Sequence, residues 1–148
     1  MPTLEEVPPK LIFSKAISIL RNARHEIFAT MDLAEELSSP LPQEYFFLLK
    51  RKAGQKVKIH RLAFGTQKDW RAFLASHKGD FTSPNYQSRQ APLRGYQRML
   101  LVDDTRLLFA HETEQGRRYF YTTNREWIGY FSDYFTVAWK KARKSGSR

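Results

Sequence analysis

Tyr96-Gln97-Arg98-Met99-Leu100-Leu101-Val102-Asp103 is the stretch on which the fold turns. Its apolar run reads as a strand from Tyr96 to Val102, the most strand-like in the chain. Asp103-Asp104 follows as a tight turn, and Arg106 to His111 returns as the other arm of a hairpin. Past the turn at Gly116, a further strand covers Arg118 to Thr123. A helix from Glu126 to about Arg143 closes the chain, with Trp127, Phe131, Tyr134, Phe135 and Ala138 on one side.

Upstream of that stretch, helices and strands alternate. Pro8-Pro9 opens a helix that carries Ile12, Ala16, Ile19, Leu20 and Ala23 at helical spacing to about Arg24. His25 to Leu33 reads as a strand, and Ser38-Ser39-Pro40-Leu41-Pro42 as a turn into the next helix. Tyr45, Phe46, Leu48 and Leu49 give that helix its apolar side, and Gly54 ends it. Lys56 to Phe64 is a second strand, where Val57, Ile59 and Arg61 alternate with Lys58, His60 and Leu62. Thr66-x-x-Asp69 resembles a capping box, opening a helix with Trp70, Phe73 and Leu74 that stops near Gly79. Asp80 to Gly95 is rich in Ser, Pro, Gln and Asn and reads as a long loop with room for one weak edge strand. The order α-β-α-β-α-(loop)-β-β-β-α predicts an α/β fold, a mixed β-sheet flanked by helices.

The 148 residues predict one domain, 1–148, with a basic C-terminal tail from about 140. Forty-one per cent of them are apolar, enough for a packed core, so a disordered chain is excluded. There is no cysteine, which excludes disulfides, thiolate metal sites and a cysteine nucleophile. That composition fits a reducing compartment, cytoplasmic or nucleoid-associated. No apolar run is long enough to span a bilayer, and Met1 to Lys10 lacks the apolar core of a secretory signal.

The net charge of +10 and a pI near 10 favour polyanionic partners. The charge is clustered. Lys50, Arg51, Lys52, Lys56, Lys58, Arg61, Lys68 and Arg71 lie in one segment against a single acid, Asp69. Lys140, Lys141, Arg143, Lys144 and Arg148 lie in the tail with none. These residues up to Lys144 are the candidate nucleic-acid contacts, neutralising phosphates and releasing counterions. Tyr45, Phe46, Phe47, Trp70 and Trp139 lie near them as candidate base-stacking platforms, or as core residues of amphipathic helices. No recognition-helix, zinc-finger or RNA-binding signature points to sequence-specific readout. His25, His60, His77 and His111 have no metal-ligand spacing, and no cofactor fingerprint is present.

Tyr96-x-Arg98-x-x-x-x-Asp103 resembles the HxKxxxxD signature of the phospholipase D-like superfamily. The element order resembles one repeat of that fold. Tyr96 stands where the family has its nucleophilic histidine and Arg98 where it has lysine; only Asp103 is kept. The resemblance implies a phosphate-binding pocket built on Tyr96, Arg98 and Asp103, with Tyr96 and Arg98 on one face of a strand. It also implies a homodimer, because two motifs meet at one site in this family. The family's Gly-Ser-x-Asn segment corresponds to Ala110-His111-Glu112-Thr113, a second departure.

A phenol is mostly protonated at neutral pH and is a poor nucleophile without a base, whereas a guanidinium grips phosphate well. The expectation is therefore a pseudo-enzyme that binds phosphate-bearing polyanions without cutting them. For Arg98 an ion pair with Asp103 or Asp104 is the structural alternative. Four functions follow, of which nucleic-acid binding comes first. A dimeric effector-sensing module, an anionic-lipid module, and a phosphodiesterase using Tyr96 are the others.

Overall fold

The computed structural model describes residues 4–77, 79 and 82–144, with Arg143 and Lys144 described through their backbone alone. The first half of the chain forms β1 (Glu5–Val7), α1 (Ile12–Arg21), β2 (Glu26–Asp32), α2 (Leu33–Ser38), α3 (Gln43–Gly54) and β3 (Lys58–Phe64). The second forms α4 (Gln67–Ser76), β4 (Tyr86–Ala91), β5 (Met99–Val102), β6 (Arg106–Thr113), β7 (Gly116–Thr122), α5 (Arg125–Lys141) and β8 (Arg143–Lys144). All the strands join one mixed sheet, in the order β1-β7-β6-β5-β2-β3-β4-β8. Neighbours β2, β3 and β4 are parallel and the other pairs antiparallel.

Both sheet faces are covered, so the central strands read as near-continuous apolar runs rather than as alternations. On one face, Ile27, Ala29, Met31, Ile59 and Leu100 pack against Leu20, Leu33, Leu49 and Phe73 of α1 to α4. On the other, Leu62, Phe64, Met99, Leu101 and Leu107 pack against Ile128, Phe131 and Phe135 of α5. Helix starts follow their capping side chains. Thr66 accepts from the Asp69 N–H, and Asn124 accepts from those of Glu126 and Trp127.

Three expectations need correction. The strand read from His25 to Leu33 stops at Asp32, whose side chain accepts from the Ala34 and Glu35 N–H groups and opens α2. The last helix ends at Lys141, not Arg143, and Arg143–Lys144 pair antiparallel with Arg89 and Gln90. That pairing makes β4 an interior strand rather than a weak edge, because the returning backbone covers its open side. The segment between Lys50 and Arg71 is split between helix, strand and loop, so its charges do not form one patch. Arg148 and the side chains of Arg143 and Lys144 lie outside the described residues.

Candidate functional site

The motif end of the sheet lies at the C-terminal ends of β2 and β3 and just before β5. Regular strand structure begins at Met99, so Tyr96 and Arg98 are not on a strand. β5 pairs with β2 only from Leu100 to Val102. Beyond that, Thr30 takes over from the backbone: its hydroxyl donates to Gln97 O at 2.6 Å and accepts from Met99 N at 3.0 Å. From the opposite face, the Tyr134 hydroxyl accepts from Gln97 N at 2.9 Å and donates to Gly95 O at 2.8 Å.

This irregular segment sends the two motif side chains to different places, against the expectation of a shared face. The Tyr96 ring joins the α5-side cluster, 5.2 Å from the ring of Phe64. Its hydroxyl is buried without a hydrogen-bond partner, and burial pushes the phenol up to about 12. Arg98 instead reaches across to α2 and donates to Glu35. Arg117, at the start of β7, donates to the other Glu35 oxygen at 2.6 Å and to Glu112 at 2.6 Å. Burial alone would raise the Glu35 carboxyl, but hydrogen bonds and charge from Arg117 and Arg98 outweigh it and hold it below its ordinary value.

One carboxylate thus bridges two guanidiniums, one oxygen to each. Arg98 pairs with Glu35 rather than with Asp103 or Asp104. Gly65 makes this geometry possible: a Cβ there would lie 2.9 Å from the Leu33 Cβ, and its φ of +152° strains other residues. α2 can therefore sit directly against the end of β3.

Asp103 is not part of this pocket. It lies past the far end of β5 and accepts hydrogen bonds from the backbone of Arg24, His25 and Glu26 at 2.8, 2.7 and 2.9 Å. Burial works to raise its carboxyl, and these backbone donors hold it lowered. With φ of +54° and +55°, Asp103 and Asp104 form a hairpin turn suited to the sheet's twist. Asp103 ties the α1–β2 connection to the β5–β6 hairpin.

The candidate nucleic-acid contacts divide sharply. Arg61 is only 1% exposed, its guanidinium against the rings of Tyr45 and Phe46, because the strand alternation places it with Ile59 on the buried face. Lys52 is also buried. Its Nζ donates to Arg21 O at 2.7 Å and Ala23 O at 3.0 Å, satisfying carbonyls at the end of α1. Neither can reach a nucleic acid.

Lys50, Arg51, Lys56, Lys58, Lys68, Arg71, Lys140 and Lys141 are exposed. Among the described residues none of them has a carboxylate in ion-pair contact. Lys50 and Arg51 lie on α3 and Lys68 and Arg71 in the first turns of α4; the ring of His77, just past the end of α4, sits 4.7 Å from that of Phe46 near the start of α3. Lys140 and Lys141 end α5, on the other face of the sheet.

Of the interleaved aromatics, Tyr45, Phe46 and Trp70 are core. Trp139 is stacked on His60 at 4.5 Å and lies under the Arg89 guanidinium. Phe47 is the exception. It is 66% exposed and stands one helical turn before Lys50 and Arg51. Among the described residues no group of three or more His, Asp or Glu side chains could hold a metal ion, and no helix is long and apolar enough to cross a membrane.

Among the described residues, an eight-stranded mixed sheet between four helices and a long C-terminal helix has the phospholipase D-like fold. Solved structures carry that assignment. TrmBL2, an archaeal chromatin protein described as showing a novel mode of DNA binding, superposes with a TM-score of 0.75 at 19% identity. That match covers 97% of this chain and 55% of TrmBL2, so this chain spans little more than half of that protein's length. The phospholipase D family member Nuc from Salmonella typhimurium matches over 98% of this chain and 99% of its own, with a TM-score of 0.73 and 13% identity. NucT from Helicobacter pylori covers the same shares at TM-score 0.67 and 13% identity. At these identities the likeness establishes the fold. No family model matches the chain, and no curated protein is similar to it in sequence.

Proposed function

We propose that this protein is a phospholipase D-like module that binds nucleic acid through the α3–α4 face and does not hydrolyse it. The observation that carries the reading is the exposed set Phe47, Lys50, Arg51, Lys68 and Arg71, with its four cations free of carboxylate partners among the described residues. Of the nearby acids, Glu44 pairs with Arg21 at 3.2 Å, and Asp69 lies in the first turn of α4, where the helix N-terminus favours its charge. Cations without internal partners release phosphate counterions at full effect on binding. Phe47 offers a ring on which an unpaired base can stack between flanking charges. The DNA-binding description of TrmBL2 supports the same direction.

Two features support the absence of hydrolysis. The Tyr96 hydroxyl is buried and held protonated far above neutral pH. The Arg98 charge is neutralised by Glu35 before any substrate arrives.

Fluorescence anisotropy with labelled single- and double-stranded oligonucleotides tests the reading. Four phosphate contacts give a slope of about −3.6 in log K against log salt, an affinity loss of about 150-fold between 50 and 200 mM. The oligonucleotide should remain full length after prolonged incubation. A flat salt dependence, or no binding at low salt, would overturn the proposal. Flotation with anionic vesicles but not with oligonucleotides would transfer the face to lipid headgroups.

A further inference from the structure

Arg61 poses a problem that the nucleic-acid reading does not touch. Arginine keeps its charge at every accessible pH, and a guanidinium taken out of water without an anionic partner costs several kcal/mol. Arg61 is buried at the floor of a cavity of about 240 Å³ between α1, α2, α3 and the sheet. Its Nη1 makes a long contact of 3.5 Å with the Tyr86 hydroxyl, and its Nη2 one of 3.8 Å with Met31 Sδ. Its Nε is buried and has no hydrogen-bond partner. Among the described residues no carboxylate lies within ion-pair distance. The surrounding Met31, Tyr45 and Phe46 would accept an apolar residue at this position at lower energetic cost.

The cavity defines what would pair with that charge. Its walls are apolar at Ile12, Phe13, Leu41 and Leu100, and its volume equals that of about eight water-sized groups. Glu36 lines it from α2, 7% exposed, with its carboxylate accepting from Leu41 N at 3.0 Å. Asp32 and Glu35 stand at the same cavity nearer the motif end, where Arg98 and Arg117 are already bound to Glu35. With Glu35 taken up by Arg98 and Arg117, the remaining wall carboxylates Asp32 and Glu36 oppose a doubly charged phosphate more than a singly charged acid, and Arg61 matches one negative charge. We infer that this cavity binds a small monocarboxylic acid, with its carboxylate on Arg61 and its apolar body against the α1 and α2 walls.

The test uses butyrate, isovalerate and phenylacetate as probes, with phenylacetamide and inorganic phosphate as controls. Binding is read by saturation-transfer NMR and by the shift in Tm. At least one of the three acids should bind saturably at millimolar concentration and raise Tm, with phenylacetamide at least tenfold weaker than phenylacetate. Arg61→Met should abolish this, and so should Ala16→Phe, which fills the cavity from α1 and leaves Arg61 in place. Failure of all three acids, equal binding of phenylacetate and its amide, or undiminished binding by a folded Arg61→Met would overturn the inference. Because Arg61 is buried, Arg61→Met should bind oligonucleotides as the wild type does, so this site and the α3–α4 face stand or fall separately.

Discussion

Removing Glu35 tests whether the proposed phosphate seat between Arg98 and Arg117 is filled by a carboxylate of the chain itself. Glu35→Ala leaves Arg98 without its carboxylate and Arg117 with Glu112 alone; their side chains are 29% and 27% exposed against 33% for Glu35. Breaking a fully buried ion pair costs about 3–5 kcal/mol; with this much residual solvation the loss falls to about 2 kcal/mol. For a domain of this size that lowers Tm by about 6–8 °C. The two guanidiniums then converge on one open seat. Inorganic phosphate bound there with a Kd of about 1 mM would restore about 2.7 kcal/mol at about 100 mM. Thermal denaturation in phosphate against chloride, at matched ionic strength, reads both effects. Wild type and Arg98→Met should show only the general stabilisation that phosphate gives through exclusion from the surface. An undiminished Tm in Glu35→Ala, or equal phosphate shifts in Glu35→Ala and wild type, would refute the reasoning.

Other residues carry separate predictions. Phe47→Ala should weaken single-stranded binding by about 1–3 kcal/mol in anisotropy titrations and leave duplex binding nearly unchanged. Lys52→Met should lower stability by about 2 kcal/mol in urea melts, because two carbonyls lose their donor, while the salt slope of oligonucleotide binding stays as in wild type. Gly65→Ala should destabilise by more than about 1 kcal/mol, since its Cβ would push Leu33 and α2 away from β3. Asp103 and Glu35 both have lowered carboxyls, so their stabilisation is present above the unfolded-state values and is lost as pH falls through the folded ones. Acid unfolding should therefore set in below about pH 4, and Asp103→Asn should flatten that limb of the stability profile.

Local signals in the sequence account for much of the fold. Thr66 marks the start of α4 through a short-range hydrogen bond, and the Asp103-Asp104 turn follows from its own residues, whereas Gly54 is the last helical residue of α3 and the positive φ of 70° beyond it falls on Lys56. The α2 helix was missed because six residues follow directly on an apolar strand, although Asp32-x-x-Glu35 has the spacing of a capping box. The centre of the motif end was missed for a different reason. Glu35 meets Arg98 across 63 positions and Arg117 across 82, and nothing local in the chain announces such a meeting. Arg61 is a visible exception: its place in the alternate series with Val57 and Ile59 puts it on the buried face, and its charge hides that placement. The split of Tyr96 from Arg98 depends on Thr30 and Tyr134 capturing the backbone from two sides of the sheet.

In the proposed function, nucleic acid binds on α3 and α4 and bypasses Tyr96, Arg98 and Glu35. Amide chemical-shift mapping with a short single-stranded oligonucleotide at low salt tests it most directly. Perturbations should concentrate at Phe47, Lys50, Arg51, Lys68 and Arg71, with Glu35, Arg98 and Arg117 unmoved. Shifts centred on Glu35, Arg98 and Arg117, with α3 and α4 silent, would contradict the account.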